Sequence, residues 1–167
     1  MKDLKTRLKE YLDINLLEEA PKMSAFRGFF ASKELAYDAL EGSSSIDKYI
    51  NDNKDYNDFQ TMLFNLIDER NLKDSDVYNK VNIDRRLFSK IRSDKEYHPS
   101  KETVILLAIS LELSERELDD LLDSASYSLP KNNKYDLIIR FCFINKIFNI
   151  NDINELLYDY NCKLLSN

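Results

Sequence analysis

Residues 72–92 read LKDSDVYNKVNIDRRLFSKIR, and this stretch decides the fold class of the chain. This stretch is typical of two short helices with a tight turn between them. Asp74 or Ser75 can cap a first helix that runs through Lys80, because their side-chain oxygens accept hydrogen bonds from the free N–H groups at a helix start. Asp84 can cap a second helix in the same way. The stretch therefore predicts a pair of helices joined by a short connection.

The second helix, predicted over 85–93, has an apolar side and a basic side. Leu87, Phe88 and Ile91 share the apolar side, and Asn82 falls at the turn, where asparagine tolerates a positive φ better than most residues. The outward side carries Arg85, Arg86, Ser89, Lys90 and Arg92. This is the pattern of a helix-turn-helix, whose second helix enters the DNA major groove and whose basic side chains contact phosphates or guanine edges.

The composition of the whole chain favours an all-α fold. Of the 167 residues, 43% are hydrophobic and 32% are charged, whereas only two glycines and three prolines are available for tight hairpins. The clearest linker is EGSSS at 41–45. We predict an N-terminal helical segment over 1–44, a helix-turn-helix domain over 45–126 and a C-terminal helical pair over 127–167 that packs on it.

Cysteine usage and hydropathy predict a cytoplasmic protein. The two cysteines, Cys142 and Cys162, lack the spacing of a metal site and are expected to be reduced thiols. Residues 1–19 are charged throughout, so they do not predict a signal peptide. The most apolar stretch, 137–150, is too short to cross a bilayer and contains charged residues, so no membrane association is predicted.

The sequence contains no motif that predicts catalysis. A Walker-type phosphate loop, a His-Glu-x-x-His motif and a Gly-x-Ser-x-Gly elbow do not occur. Asp119, Asp120 and Asp123 lie on one predicted helix without the glycine-containing loop of calcium sites, so they are expected to form a solvated acidic face. His98 could reach a phosphate, but it has no evident catalytic partner. We expect no enzyme activity, no catalytic residue, no metal and no cofactor.

The helices on both sides of the central pair extend the pattern to a family resemblance. Residues about 58–124 resemble the five-helix domain of Cro and lambda-repressor type regulators, known as the XRE-type helix-turn-helix family. The resemblance is carried by Leu66–Leu72, Val77, Asn82-Ile83, Phe88–Ile91, Pro99-Ser100, Leu107-Ala108 and Leu118–Leu122. It implies a transcription regulator that binds double-stranded operator DNA, usually as a homodimer.

The resemblance also implies which residues contact DNA. The groove-facing residues would be Arg85, Arg86, Ser89 and Lys90. The phosphate contacts would be Arg92, Lys95 and Lys101. The sequence departs from the family at Tyr78, where alanine is usual because two helices pass closely, and at Asn82, where glycine is usual.

The charge distribution leaves two functions open. Residues 84–101 contain six basic and three acidic residues, a local charge of +3, although the whole chain has a net charge of −6. A basic face on an acidic protein suits DNA binding with weak affinity for random sequence. The alternative is a protein-interaction module of the same fold, such as an accessory or inhibitor protein of a mobile element or defence system. Tyr78, the acidic total and the additional N-terminal helices favour this alternative.

Residues 137–144 read LIIRFCFI and are apolar on nearly all sides. A helix of this kind is buried on more than one face. The stretch predicts either a core helix that packs the C-terminal part against the rest, or a helix that also forms part of a dimer interface.

Overall fold

The computed structural model of the chain describes residues 2–17 and 58–165, which form eight helices and contain no strand. The helices are α1 (Lys2–Leu17), α2 (Phe59–Glu69), α3 (Asp74–Lys80), α4 (Arg85–Ser93), α5 (Lys101–Ser110), α6 (Glu115–Ser124), α7 (Lys134–Ile144) and α8 (Ile150–Asp159). The prediction of an all-α fold is confirmed for this part of the chain. The predicted linker at 41–45 and the predicted boundary between residues 44 and 45 lie outside the described residues.

Polar side chains cap the starts of most helices. Asp58 accepts a hydrogen bond from the backbone N–H of Thr61 at the start of α2, and Asp84 accepts one from the N–H of Arg86 at the start of α4. Ser114 and Glu117 form a reciprocal capping box at the start of α6. Because these contacts are local in sequence, they fix where the helices begin.

The predicted cap of α3 is wrong. Lys73, not Asp74 or Ser75, is the N-cap residue, and its side chain makes no capping hydrogen bond. The helix begins one residue earlier than the capping signal indicates, so Asp74 lies in its first turn. The carboxylate of Asp74 is turned towards Arg92 on α4 and binds its guanidinium.

Six described helices end in the same motif without glycine. The residue after each C-cap has a left-handed backbone with φ between 51° and 58°, and the next N–H bonds back to a carbonyl five residues earlier, as from Ile83 to Tyr78 at 2.9 Å. The left-handed residues are Asn71, Asn82, Glu112, Ser126, Lys146 and Asn161. A non-glycine residue in this conformation is strained, so each motif depends on the packing around it.

Helix α5 lies at the centre of the described core. All residues from Thr103 to Ser110 are buried, and α5 packs between α3 and α6. Helix α6 also contacts α2 and α7, and α7 contacts α8. The core interpretation of 137–144 is confirmed for most of α7, although Ile144 at its end is exposed. The protein thus packs α3 against the buried helix α5, and α4 against α3.

Helix α1 belongs to the same core although residues 18–57 separate it in sequence from α2. Leu8 and Leu12 are buried, and the ring of Tyr11 lies 5.5 Å from that of Phe141 on α7. Lys5 binds carboxylates of α8 at 2.7 and 2.8 Å.

None of the helices in residues 2–17 and 58–165 is long and apolar enough to cross a membrane.

Candidate nucleic-acid interface

Helices α3 and α4 meet at a turn that the buried residues on both sides hold in place. Val77 on α3 and Ile83 in the turn are buried, while Phe88 and Ile91 bury the inner side of α4. Asn82 has the predicted positive φ, at 55°. Leu87 is half-buried on the same inner side, so the polar side chains of α4 are directed away from the core.

The outer face of α4 is exposed and basic. Arg85, Arg86, Ser89 and Lys90 are all exposed. Within the described residues, the guanidinium groups of Arg85 and Arg86 take part in no ion pair or hydrogen bond. The ammonium of Lys90 lies 4.4 Å from the centre of the Tyr97 ring, an arrangement that leaves its N–H donors available. The structure therefore brings the four predicted groove-facing residues onto one surface.

Arg92 lies at the edge of this surface and is held by two contacts. Its Nη2 is 2.6 Å from Oδ1 of Asp74, and its guanidinium carbon is 4.0 Å from the centre of the Phe64 ring. Half of the Arg92 side chain remains exposed. Arg92, a predicted phosphate contact, thus lies near the basic face. The carboxylate of Asp74 already binds one of its N–H donors.

The other two predicted phosphate contacts differ from each other. Lys95 is exposed in the loop after α4, and its charge helps to keep the pKa of Asp58 low, after the larger effect of the Thr61 N–H. Lys101 is instead partly buried on α5, where its Nζ lies 2.6 Å from the buried carboxylate of Asp136. The position of Lys101 indicates a structural contact rather than a free cation.

Two side chains of α2 that the sequence did not single out, Gln60 and Phe64, contact α4. The amide of Gln60 donates a hydrogen bond of 2.8 Å to the carbonyl of Ile91, which satisfies a free acceptor at the end of α4. The rings of Phe64 and Phe88 meet edge to face at 6.0 Å. The helical spacing of α2 predicted an inward face that includes neither Gln60 nor Phe64, and it carried no information about which helix these two residues would contact.

Tyr78 lies between the core and solvent. It is half-buried, and its ring centre is 5.4 Å from that of Phe88. A shallow cleft of about 420 Å³ runs between α3 and α4 beside it. The cleft is lined by Lys73, Asp74, Ser75, Tyr78, Arg85, Phe88, Ser89 and Arg92.

His98 and Asp119, two other polar residues considered from the sequence, contact neighbouring side chains. His98 lies beside Tyr127 with ring centres 5.2 Å apart, and the Tyr127 hydroxyl donates to the carbonyl of Pro99 at 3.1 Å. Asp119 binds the guanidinium of Arg140 at 2.8 Å rather than standing free. No group of three metal-binding side chains is found within residues 2–17 and 58–165.

Burial affects both cysteine thiols. Burial raises the pKa of Cys142 to about 12, and it also raises the pKa of Cys162. A thiol must ionise to act as a nucleophile, and burial opposes ionisation at both side chains.

No protein-family model matches the chain, and neither a curated protein nor a solved structure matches it. The resemblance to Cro and lambda-repressor type regulators therefore rests on the residues quoted for it.

Proposed function

We propose that the chain is a DNA-binding transcription regulator in which α3 and α4 act as a helix-turn-helix. The observation that carries the proposal is the outer face of α4, on which Arg85, Arg86, Ser89 and Lys90 are exposed together. Arg85 and Arg86 are the first two residues of α4. In helix-turn-helix proteins, the N-terminal residues of the second helix reach the base edges.

The chemistry of this face fits duplex DNA. An arginine donates two hydrogen bonds to the O6 and N7 atoms of guanine, a geometry that lysine cannot match. Ser89, one turn further along α4, can donate to a base or a phosphate. Lys90 and Lys95 add positive charge at the far end, where phosphates would pass. The half-buried ring of Phe64 and the buried ring of Phe88 support α4, so the backbone of this helix needs little reordering on binding.

A dimer is part of the proposal, because the family resemblance implies one. Two copies of α4 would then enter successive major grooves about 34 Å apart on one side of the duplex. The operator would in that case be a pseudo-palindrome, with the half-site spacing of one helical turn.

The test reverses the charge at Arg85, Arg86 and Lys90 in one variant, with glutamate at each position. Mobility shift is measured on short duplexes that cover the DNA upstream of its own gene, at low and at moderate salt. We expect binding to be lost, because three donors disappear and three negative charges face the phosphates. Retention of binding by this variant contradicts the proposal.

A matched control separates a local effect from a change in net charge. Glutamate at Lys9, Arg116 and Lys131 changes the net charge by the same amount, and all three side chains are exposed and form no ion pair within the described residues. We expect this control to bind nearly as the wild type does. Equal loss in both variants indicates that α4 is not the interface.

A second candidate function, a protein-interaction module, is favoured by one specific observation. Arg92 and Lys101, two of the seven predicted contacts, are bound by acidic side chains of the chain itself. This leaves a smaller basic surface than the sequence predicts. If the wild type shifts no duplex at low salt and a protein co-purifies with it, the interaction module becomes the better assignment.

A further inference from the structure

The ion pair between Asp74 and Arg92 lies in the cleft between α3 and α4. It is the one ion pair that joins these two helices within the described residues. Its partners are half and about one third exposed, at 50% and 36%. An ion pair this accessible contributes little to stability, because water and other anions compete for the guanidinium.

The surroundings of the pair favour a further anion. Lys73, Arg85 and Arg92 bring three positive charges to the cleft, and Asp74 is the one carboxylate among its described lining residues. The Phe64 ring holds the Arg92 guanidinium in place, so its outer N–H donors remain directed to the same side when Asp74 leaves.

From this geometry we infer that Asp74 is an internal competitor for Arg92, which occupies from within the chain the position that a nucleic-acid phosphate takes on binding. The inference rests on the proposed function, and it specifies how that surface is regulated. While Asp74 holds Arg92, one phosphate contact is withheld from random DNA. A sequence that positions a phosphate well displaces the carboxylate, so the pair lowers non-specific affinity more than specific affinity.

The experiment compares Asp74→Asn with Asp76→Asn. Both remove one negative charge from the first turn of α3, but only Asp74 is paired with an arginine. Affinity is measured for a duplex of random sequence across a range of salt concentrations. For Asp74→Asn we expect about threefold to tenfold tighter binding, and a salt slope that is steeper by about one, since one more phosphate is neutralised. Asp76→Asn should show less than half of this gain.

A third variant tests whether the effect passes through the arginine. Asp74→Asn combined with Arg92→Gln should bind random duplex no better than the wild type, because the released group is absent. If the gain persists in this double variant, or if both asparagine variants gain equally, Asp74 acts only through net charge and the inference is overturned.

Elution from immobilised heparin distinguishes failure of the inference from failure of the proposed function. If no variant binds duplex at any salt concentration, the proposed function is overturned. Later elution of Asp74→Asn than of Asp76→Asn then still supports competition for Arg92 by a polyanion. Elution of the two variants at the same salt concentration overturns the inference.

Discussion

Lys101→Met should destabilise the protein through the buried carboxylate of Asp136. Asp136 on α7 has only 2% of its side chain exposed, and the Nζ of Lys101 on α5 lies 2.6 Å from its Oδ1. Among the described residues, Lys101 is the one basic side chain within ion-pair distance of this carboxylate. Methionine preserves the length of the aliphatic chain, so the substitution removes the charge with little change in packing.

The size of the effect follows from the burial of the two groups. Removing one partner of a buried ion pair costs about 3–5 kcal/mol, because the other charge remains desolvated and unpaired. Lys101 is a quarter exposed, and Asp136 lies in the first turn of α7, where the helix dipole favours a negative charge. We therefore expect a loss of about 2–3 kcal/mol in the free energy of unfolding, or a decrease in Tm of about 5–10 °C for a chain of this length.

The assay is urea and thermal unfolding of three variants. Lys95→Met is the matched control, because Lys95 is exposed and forms no ion pair within the described residues, and it should change stability by less than about 0.5 kcal/mol. Lys101→Met combined with Asp136→Leu should recover most of the loss, since apolar side chains replace a buried pair well. The reasoning is refuted if Lys101→Met is as stable as Lys95→Met, or if the double variant is no more stable than the single one.

Three further changes test other details of the fold. Ser126→Gly should raise the free energy of unfolding by about 0.5–1 kcal/mol in a urea titration, because glycine adopts the left-handed backbone without strain, whereas Ser128→Gly should lower it. Tyr135→Phe should raise stability by about 1 kcal/mol, since the buried hydroxyl has no hydrogen-bond partner among the described residues; Tyr158→Phe, at an exposed site, should be neutral, and a clear loss at Tyr135 would mean that its hydroxyl is satisfied. The Thr61 N–H lowers the pKa of Asp58, so the ionised cap stabilises the fold above the unfolded pKa of about 4 and this contribution disappears as the pH falls through the lower folded value. Asp58→Asn keeps a cap, so its Tm should fall less than that of the wild type as the pH decreases. An equal fall of Tm in both proteins would contradict this assignment.

The helix starts could be predicted from sequence because capping is local. Asp58, Asp84 and Ser114 each lie within three residues of the N–H group that they accept from. At α3 the same reasoning failed, because Asp74 has a competing partner eighteen residues away. A capping signal identifies a residue that can accept a hydrogen bond, but a distant arginine can bind the same carboxylate.

The helix ends were predictable only where the residue type was favourable. Asn82 was expected to adopt a positive φ and does so, as does Asn71, another asparagine. Glu112, Ser126 and Lys146 adopt it as well, although these residue types give no such signal. The missed signal was the residue that follows each of them, which is apolar or aromatic and packs back onto the helix.

The basic surface could be predicted in part. Helical spacing indicates which side chains are exposed, but it does not indicate which of them form ion pairs. The spacing alone directed Arg85, Arg86 and Lys90 outward, and all three are exposed. The ion pair of Lys101 joins residues thirty-five positions apart, so it depends on how α5 and α7 meet. Local charge counts therefore overestimate the number of free cations wherever helices pack closely.

The net charge of −6 is compatible with the proposed nucleic-acid surface once the ion pairs are assigned. Six of the acidic side chains form ion pairs with cations that are not on α4. They are Glu112 with Lys80, Glu115 and Asp119 with Arg140, Glu117 with Arg70, and Glu155 and Asp159 with Lys5. At physiological salt, exposed charges beyond about 8 Å are largely screened. A phosphate near Arg85 and Arg86 would therefore experience their unpaired charges more strongly than the acidic total, and its affinity should depend on substitutions in α4 far more than on the net charge of the chain.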